Sequence, residues 1–282
     1  MTATHHPVPR NPLDENALVH STEEVAEAVF LTRLTSPSIA KHIEPGQFVQ
    51  IHLRDEAIPL LRIPLSVAAV DRAGCLIDVL YEAVGPKTNL LSRLSAAASV
   101  RCLGPIGNSF PAPGRHQRVV LIGGGVGLPP LLFFGHSLIS CGHEAGVDLL
   151  VGARTAAKHL DSERLHRAVS SVAIATDDGS AGHAGLVTEL LEQKLSVAGV
   201  EDVVVYTCGP HPMMRAVASI CADSKVPCFA SLEEYMACGY GVCVGCVVET
   251  KLAADRHRSE YERYSRICVD GPVYDAAQII WD

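Results

Sequence analysis

Between residues 25 and 103, apolar and polar positions alternate in short runs broken by turn residues. Val25–Leu34, Gln47–Leu53, Leu65–Val70, Leu76–Tyr81 and Ser99–Leu103 each read as a strand with one buried face. Pro45-Gly46, Asp71–Gly74 and Gly104-Pro105 punctuate them, and Asn89–Ala98 reads as one short helix. Several short strands at this spacing predict an antiparallel barrel.

Beyond residue 117 the rhythm changes. Apolar runs at Arg118–Ile122, Val147–Val151, Val172–Thr176, Val203–Thr207 and Cys228–Ser231 alternate with helical patterns. The predicted helices end near Cys141 and cover Lys158–Ala168, Leu186–Val197 and Pro212–Ala222. Continuous apolar strands separated by helices predict a parallel sheet covered on both faces. The fold class is therefore an antiparallel β-barrel, then an α/β domain, then a small C-terminal module. Boundaries fall at a loose Pro-rich tail 1–14, a barrel 15–113, an α/β domain 114–230 and a terminal module 231–282.

That module contains Cys238, Cys243 and Cys246 in the spacing C-x4-C-x2-C, with Cys268 following 22 positions after Cys246. This is the spacing of a plant-type [2Fe-2S] site, in which four thiolates hold two irons. Gly239, Gly241 and Gly245 supply the backbone freedom needed to wrap a small cluster. Zinc is the rival ligand, but such sites usually pair one C-x2-C with a second close pair, and Cys268 has no such neighbour. The other six cysteines are scattered and read as small buried hydrophobes.

Composition narrows the field. The 282 residues suit about two domains and a small third module. No run approaches the roughly 18 apolar residues of a membrane span, and the N-terminus lacks a signal-peptide pattern. Ten cysteines without a secretion signal predict a reducing cytoplasm. A net charge of −8 argues against a nucleic-acid partner.

Three barrel loops carry candidate chemistry: Arg62–Ser66, Tyr81–Thr88 and Gly104–Phe110. Together they offer hydroxyls, backbone donors and cations, the groups that a flavin ring and its pyrophosphate require. In the α/β domain, Gly123–Pro130 joins a strand to a helix, where bare glycines let a pyrophosphate approach the backbone. It is not the G-x-G-x-x-G fingerprint, and no acidic residue lies about 20 positions on to grip an adenosine ribose. Two further strand-end loops, Thr176–Ser180 and Thr207–Pro210, lie where α/β sheets bind ligands.

A barrel of flavin type, a nucleotide-type α/β domain and a terminal cluster loop, in that order, resemble the ferredoxin–NADP reductase superfamily. More closely, Gly123–Pro130, Thr176–Ser180, Cys208–Pro210, Glu234–Cys246 and Cys268–Val273 resemble the iron–sulfur electron-transfer subunit of heteromeric, NAD-linked dihydroorotate dehydrogenase. The resemblance implies FAD, a [2Fe-2S] cluster and NAD(H). It also implies an FMN-containing dihydroorotate dehydrogenase catalytic subunit as partner in a heterotetramer, with no membrane and no nucleic acid. FAD would then contact Ile63, Pro64, Leu65 and Ser66, then Leu80, Tyr81 and Glu82, and finally Lys87 and Thr88. Nicotinamide would lie near Gly123, Gly124, Gly125 and Gly127 and near Cys208, Gly209 and Pro210. Such a subunit needs no acid–base or nucleophilic side chain, and none of the 13 histidines has a neighbourhood that implies one.

The chain departs from that family at three places. Ile63 stands where the family has Arg, Lys87 stands where it typically has Gly, and the stretch between Cys246 and Cys268 is long and charged. Lys87 is the candidate to replace the lost cation at the FAD pyrophosphate. Arg154, just past the second parallel strand, makes NADP use conceivable, although the resemblance favours NAD. Rival readings are a reductase subunit of a sulfide dehydrogenase or of an NADH–ferredoxin transhydrogenase-type complex, and a flavin redox sensor without turnover.

Overall fold

The computed structural model describes residues 12–53, 61–197, 202–251 and 263–281. Six antiparallel strands close a barrel: β1 (Leu13–Ala26), β2 (Val29–Thr35), β3 (Phe48–Leu53), β4 (Ile63–Asp71), β5 (Leu76–Glu82) and β6 (Ser99–Ile106), in the order β1-β2-β5-β4-β3-β6. The strand period of two sorts side chains between its two surfaces. On β3, Val49, Ile51 and Leu53 fill the barrel core, while Phe48 belongs to a separate cluster outside it. Two short helices, α1 (Pro37–His42) and α2 (Pro86–Leu91), complete this half.

The second half is a seven-stranded sheet. Its strands are β7 (Arg118–Gly124), β8 (Val147–Ala153), β9 (Ser171–Thr176), β10 (His183–Ala184), β11 (Val203–Cys208), β12 (Cys228–Ser231) and, from the end of the chain, β15 (Val273–Asp275). The order is β10-β9-β8-β7-β11-β12-β15, parallel except for β15. α3 (Leu128–Ser140) and α4 (Ser162–His166) cover one face, and α5 (Val187–Val197) and α6 (His211–Asp223) the other. β7 and β11 lie central and buried, hence their unbroken apolar sequence. A third, small sheet pairs β13 (Val247–Glu249) with β14 (Tyr264–Arg266).

The two halves are fused rather than strung together. α3 packs on β4, and its Phe133 enters the barrel core. The terminal module is tied to both. β15 extends the parallel sheet, while Asn108 of the barrel donates through Nδ2 to the carbonyls of Asp270 and Val273 and accepts from the Val273 amide. A methyl group at Gly107 would stand 2.4 Å from Pro272 and 2.8 Å from the Gly271 carbonyl, so glycine is what lets these loops meet.

Several expected elements differ. Val25–Leu34 is not one strand: the chain turns at Ala28, with φ of +57°, between β1 and β2. β1 itself begins at Leu13, so the last two residues assigned to the tail pair with β6; residues 1–11 lie outside the described residues. Its exposed polar face hides the strand from a reading of apolar alternation, since only Ala17 and Val19 are fully buried along it. The helix expected over Asn89–Ala98 instead starts at Pro86, which pre-sets the first turn, and ends at Leu91. β6 runs through Gly104-Pro105 to Ile106. Lys158–Ala168 splits at Asp161, whose carboxylate caps α4 by accepting from the Arg164 amide. Most of the charged stretch after Cys246, residues 252–262, lies outside the described residues.

Candidate functional site

The cluster loop leaves β12 and returns through Cys246 to β13. Gly239 and Gly241 take φ of +78° and +83°, the left-handed region where a side chain is strained. The resulting coil turns backbone amides onto sulfur: the Cys243 N–H donates to Cys238 Sγ at 3.4 Å. Among the described residues no three His, Cys, Asp or Glu side chains close around one point, as a single ion would require. The sulfurs lie instead in two pairs, Cys238 beside Cys243 and Cys246 beside Cys268. Two thiol pairs, with backbone amides turned onto Cys238, fit a two-iron cluster held by four thiolates.

Electrostatics separates the pairs. Partial burial pushes the Cys238 thiol up, but the amides of Cys243, Tyr240 and Val242 more than offset it and bring the thiol down to about 7. Burial, reinforced by the neighbouring Cys246, pushes Cys268 up to about 12. The loop's outer rim is apolar and open, with Tyr235, Tyr240, Val242 and Val244 all exposed. Its inner side rests on the barrel, where Gly239 packs on Gln50 of β3.

The nucleotide loops are built by contact between neighbouring strand ends. Gly123 on β7 pairs with Cys208 on β11. A methyl group at Gly127 would lie 2.3 Å from the Cys208 carbonyl carbon and 2.4 Å from the Gly209 nitrogen. A methyl group at Gly209, with φ of +155°, would lie 2.9 Å from the Gly124 carbonyl oxygen. Gly125 faces open space with φ of +54°, so this turn presents bare backbone at the strand end. Cys208 is sealed beneath, and burial, followed by the charge of Glu233, raises its thiol well above the usual range. At the neighbouring strand end, the amides of Asp177 and Asp178 donate to the carbonyls of Ala153 and Arg154, which draws two aspartates beside the exposed Arg154.

In the barrel the FAD-assigned stretches divide by face. Ile63 and Tyr81 point into the barrel core, leaving only their backbone for a ligand. The Tyr81 hydroxyl hydrogen-bonds Thr32 at 2.9 Å, and burial pushes it up to about 12. Leu65 packs against the same core from its edge. Pro64 and Ser66 stand across from Gln50 and Phe48. Leu80 is buried in the cluster beneath the second domain, and Glu82 accepts from Lys158 at 2.6 Å, an ion pair that joins the two halves. Thr88 caps α2: its hydroxyl accepts from the Gly85 amide at 3.1 Å. Lys87 Nζ donates to the carbonyls of Leu61 and Arg62 at 3.3 and 3.1 Å, and Arg62 pairs with Asp14 at 3.1 Å while its Nη1 is buried without a partner. Two cations thus meet at the start of β4. Sequence reasoning missed Gln50, Lys158 and Glu233, which stand in no recognisable local pattern, and met Asn108 only as part of the Gly104–Phe110 loop, without its tie to Val273.

Comparison with known proteins agrees with this geometry. Residues 233–280 match the iron-sulfur cluster binding domain of dihydroorotate dehydrogenase B, and residues 121–219 match the oxidoreductase NAD-binding domain. The dihydroorotate dehydrogenase B (NAD(+)) electron transfer subunit of Desulforamulus reducens is 32% identical over 95% of this chain and 98% of its own. That of Geobacillus thermodenitrificans is 36% identical over 94% of this chain and 98% of its own. The chain belongs to this family. Among solved structures, an NADH-dependent reduced ferredoxin-NADP oxidoreductase, studied for flavin-based electron bifurcation, superposes with a TM-score of 0.81 at 29% identity, over 94% of this chain and 90% of that one. A ferredoxin reductase of carbazole 1,9a-dioxygenase shares the fold with a TM-score of 0.66 at 22% identity, over 77% of this chain and 67% of its own. Family membership accounts for the full run from barrel through α/β sheet to cluster module. Among the described residues no helix is long and apolar enough to cross a membrane.

Proposed function

We propose that this chain is the electron-transfer subunit of an NAD-linked dihydroorotate dehydrogenase, passing electrons from a partner's FMN through a [2Fe-2S] cluster and FAD to NAD+ in pyrimidine biosynthesis. FAD supplies the exchange between one-electron and two-electron carriers, which is why it belongs between the other two. Cys238, Cys243, Cys246 and Cys268 hold the cluster, while Pro64, Ser66, Lys87 and Thr88 line the FAD site. Gly123–Gly127 and Cys208–Pro210 form the nicotinamide cleft. The complex is a heterotetramer in the cytoplasm, where reduced thiols serve a metal.

One observation carries the reading: the cluster loop is seated on β3, the strand next to the flavin stretch of β4, while its opposite rim is apolar and exposed. A cluster so held has the flavin on one side and room for a partner on the other. Tyr235, Tyr240, Val242 and Val244 are the docking rim for the FMN subunit. The likeness to the bifurcating oxidoreductase supports a second reading, because the same build occurs there in an NADH-dependent reduced ferredoxin-NADP oxidoreductase.

The test is to express the chain with its genomic catalytic partner and isolate the complex anaerobically. The reading requires dihydroorotate-dependent NAD+ reduction and one [2Fe-2S] EPR signal per chain. A native partner that carries further iron–sulfur clusters, with no response to dihydroorotate, supports the second reading instead. NADH should be preferred over NADPH, since Asp177 and Asp178 crowd Arg154; a higher kcat/KM for NADPH overturns that preference.

A further inference from the structure

Gln50 stands on the outward face of β3, between Val49 and Ile51, which fill the barrel core. An outward glutamine on a barrel is ordinarily wet. Here it is 0% exposed, because the cluster module covers that face. Neither its amide oxygen nor its amide nitrogen has a hydrogen-bond partner. Its amide lies against the backbone next to Cys238: a methyl group at Gly239 would sit 2.5 Å from Gln50 Oε1 and 2.9 Å from Nε2.

A fully buried, unpartnered amide is costly, and a leucine or methionine would fill the same space with no polar group to satisfy. The backbone amides nearby already turn toward sulfur, as Cys243 does to Cys238. What this end of the loop offers in addition is acceptor capacity, since thiolates and inorganic sulfides accept and never donate. The Gln50 amide can rotate to present its NH2 to them.

We propose that Gln50 donates an amide N–H to a sulfur of the [2Fe-2S] cluster, making it the barrel's positioning residue for the cluster and a determinant of its potential. This rests on the cluster reading of the four cysteines. A donor to sulfur stabilises the reduced, more negative cluster, so Gln50 raises the potential. It also ties the cluster to the strand beside the flavin stretch, fixing the separation that electrons cross.

The experiment is EPR-monitored redox titration of the anaerobically isolated complex, wild type against Gln50→Leu and Gln50→Met. Both variants should keep their iron and FAD while the one-electron equilibrium of the cluster shifts about tenfold toward the oxidised form, a fall of about 59 mV. NADH oxidation with a two-electron artificial acceptor should not change. Pulsed EPR on wild-type protein containing isotope-labelled glutamine should show a nitrogen coupling to the reduced cluster that Gln50→Met lacks. A wild-type cluster without that coupling, or variants with unaltered potential, would make Gln50 a space-filler and overturn the inference. If the wild-type chain gives no [2Fe-2S] signal at all, the reading of the cysteines fails instead, a result distinct from the other two.

Discussion

Two glycine-rich turns, Gly123–Gly127 and Gly239–Gly245, look alike as strings and are held in opposite ways. The first is fixed by protein: methyl groups at Gly127 or Gly209 would collide with the facing backbone. The second is fixed by its own dihedrals and by side chains rather than backbone: methyl groups at Gly239 and Gly241 would stand 2.5 Å from Gln50 Oε1 and from Val269 Cγ2, and Gly245 has only the Cys243 sulfur near it, at 3.6 Å. Their cysteines diverge accordingly. Cys208 lies sealed under the first loop with its thiol pushed far up, whereas Cys238, ringed by amides, is brought down to about 7. One loop is a finished surface on which a nucleotide can rest. The other is a set of donors and thiols that a cluster completes.

The difference predicts which loop fails when its ligand chemistry is removed. Cys243→Ser should abolish the cluster, because a serine oxygen is a poor substitute for a soft thiolate. Iron content and the EPR signal should vanish, together with dihydroorotate–NAD+ turnover. NADH oxidation with a two-electron acceptor should persist, since the nucleotide loops do not depend on the cluster. Loss of that activity as well would mean the two regions are one cooperative unit.

Gly127→Ala is the converse. The loops after β7 and β11 must part by about an ångström, and misplacement of that size costs on the order of 100-fold in rate. kcat/KM for NADH should fall by about that factor, at roughly 1–3 kcal/mol of stability from overpacking, with the cluster's EPR signal unaltered. An unchanged kcat/KM would show that the two loops do not need their present contact.

What could be read in the chain follows the same division. The iron–sulfur character of residues 233–280 was legible in the cysteine spacing, because metal ligation fixes residue type and spacing locally. The parallel strands were legible because burial on both faces leaves an apolar run, as in Val119–Ile122. β1 was not, since most of its length faces water, and neither was the early end of α2 at Leu91. Gln50 and Asn108 acquire their roles only when segments more than 150 residues away dock on them, as Val273 does on Asn108. No local pattern encodes that.

A smaller effect tests the flavin side. Lys87 was expected to replace a missing arginine, with Ile63→Arg as the rescue. Ile63 is 6% exposed in the barrel core, so an arginine there would have to be buried and is not a clean rescue. The charge at the start of β4 instead comes from Lys87 and Arg62 together. Lys87→Gly should loosen FAD by about tenfold, worth roughly 1.4 kcal/mol, and Arg62→Met should act in the same direction. FAD affinity unchanged in both would return these cations to a purely structural role.

The smallest effect concerns the joint between the two loops. Glu233 follows β12, two residues past Ser231, which pairs with Cys208, and five residues before Cys238. Crowding by protein raises its carboxyl to about 7, but the side chain is exposed, so solvent tempers that shift. Because the folded-state value lies above the ordinary 4.5, ionisation opposes folding: the protonated form's advantage is whole below about pH 4.5 and is gone once pH has risen through about 7. The ionised carboxylate, at the same sheet end as the nicotinamide cleft, attracts the positive ring of NAD+ and has no such hold on NADH. The ratio of NAD+ to NADH affinity should therefore climb a few-fold between about pH 6 and pH 8, moderated by water and salt. Glu233→Gln should flatten that slope and leave the cluster potential alone. Titration calorimetry of both nucleotides across the range decides it, and a slope that survives in Glu233→Gln would place the titrating group elsewhere in the cleft.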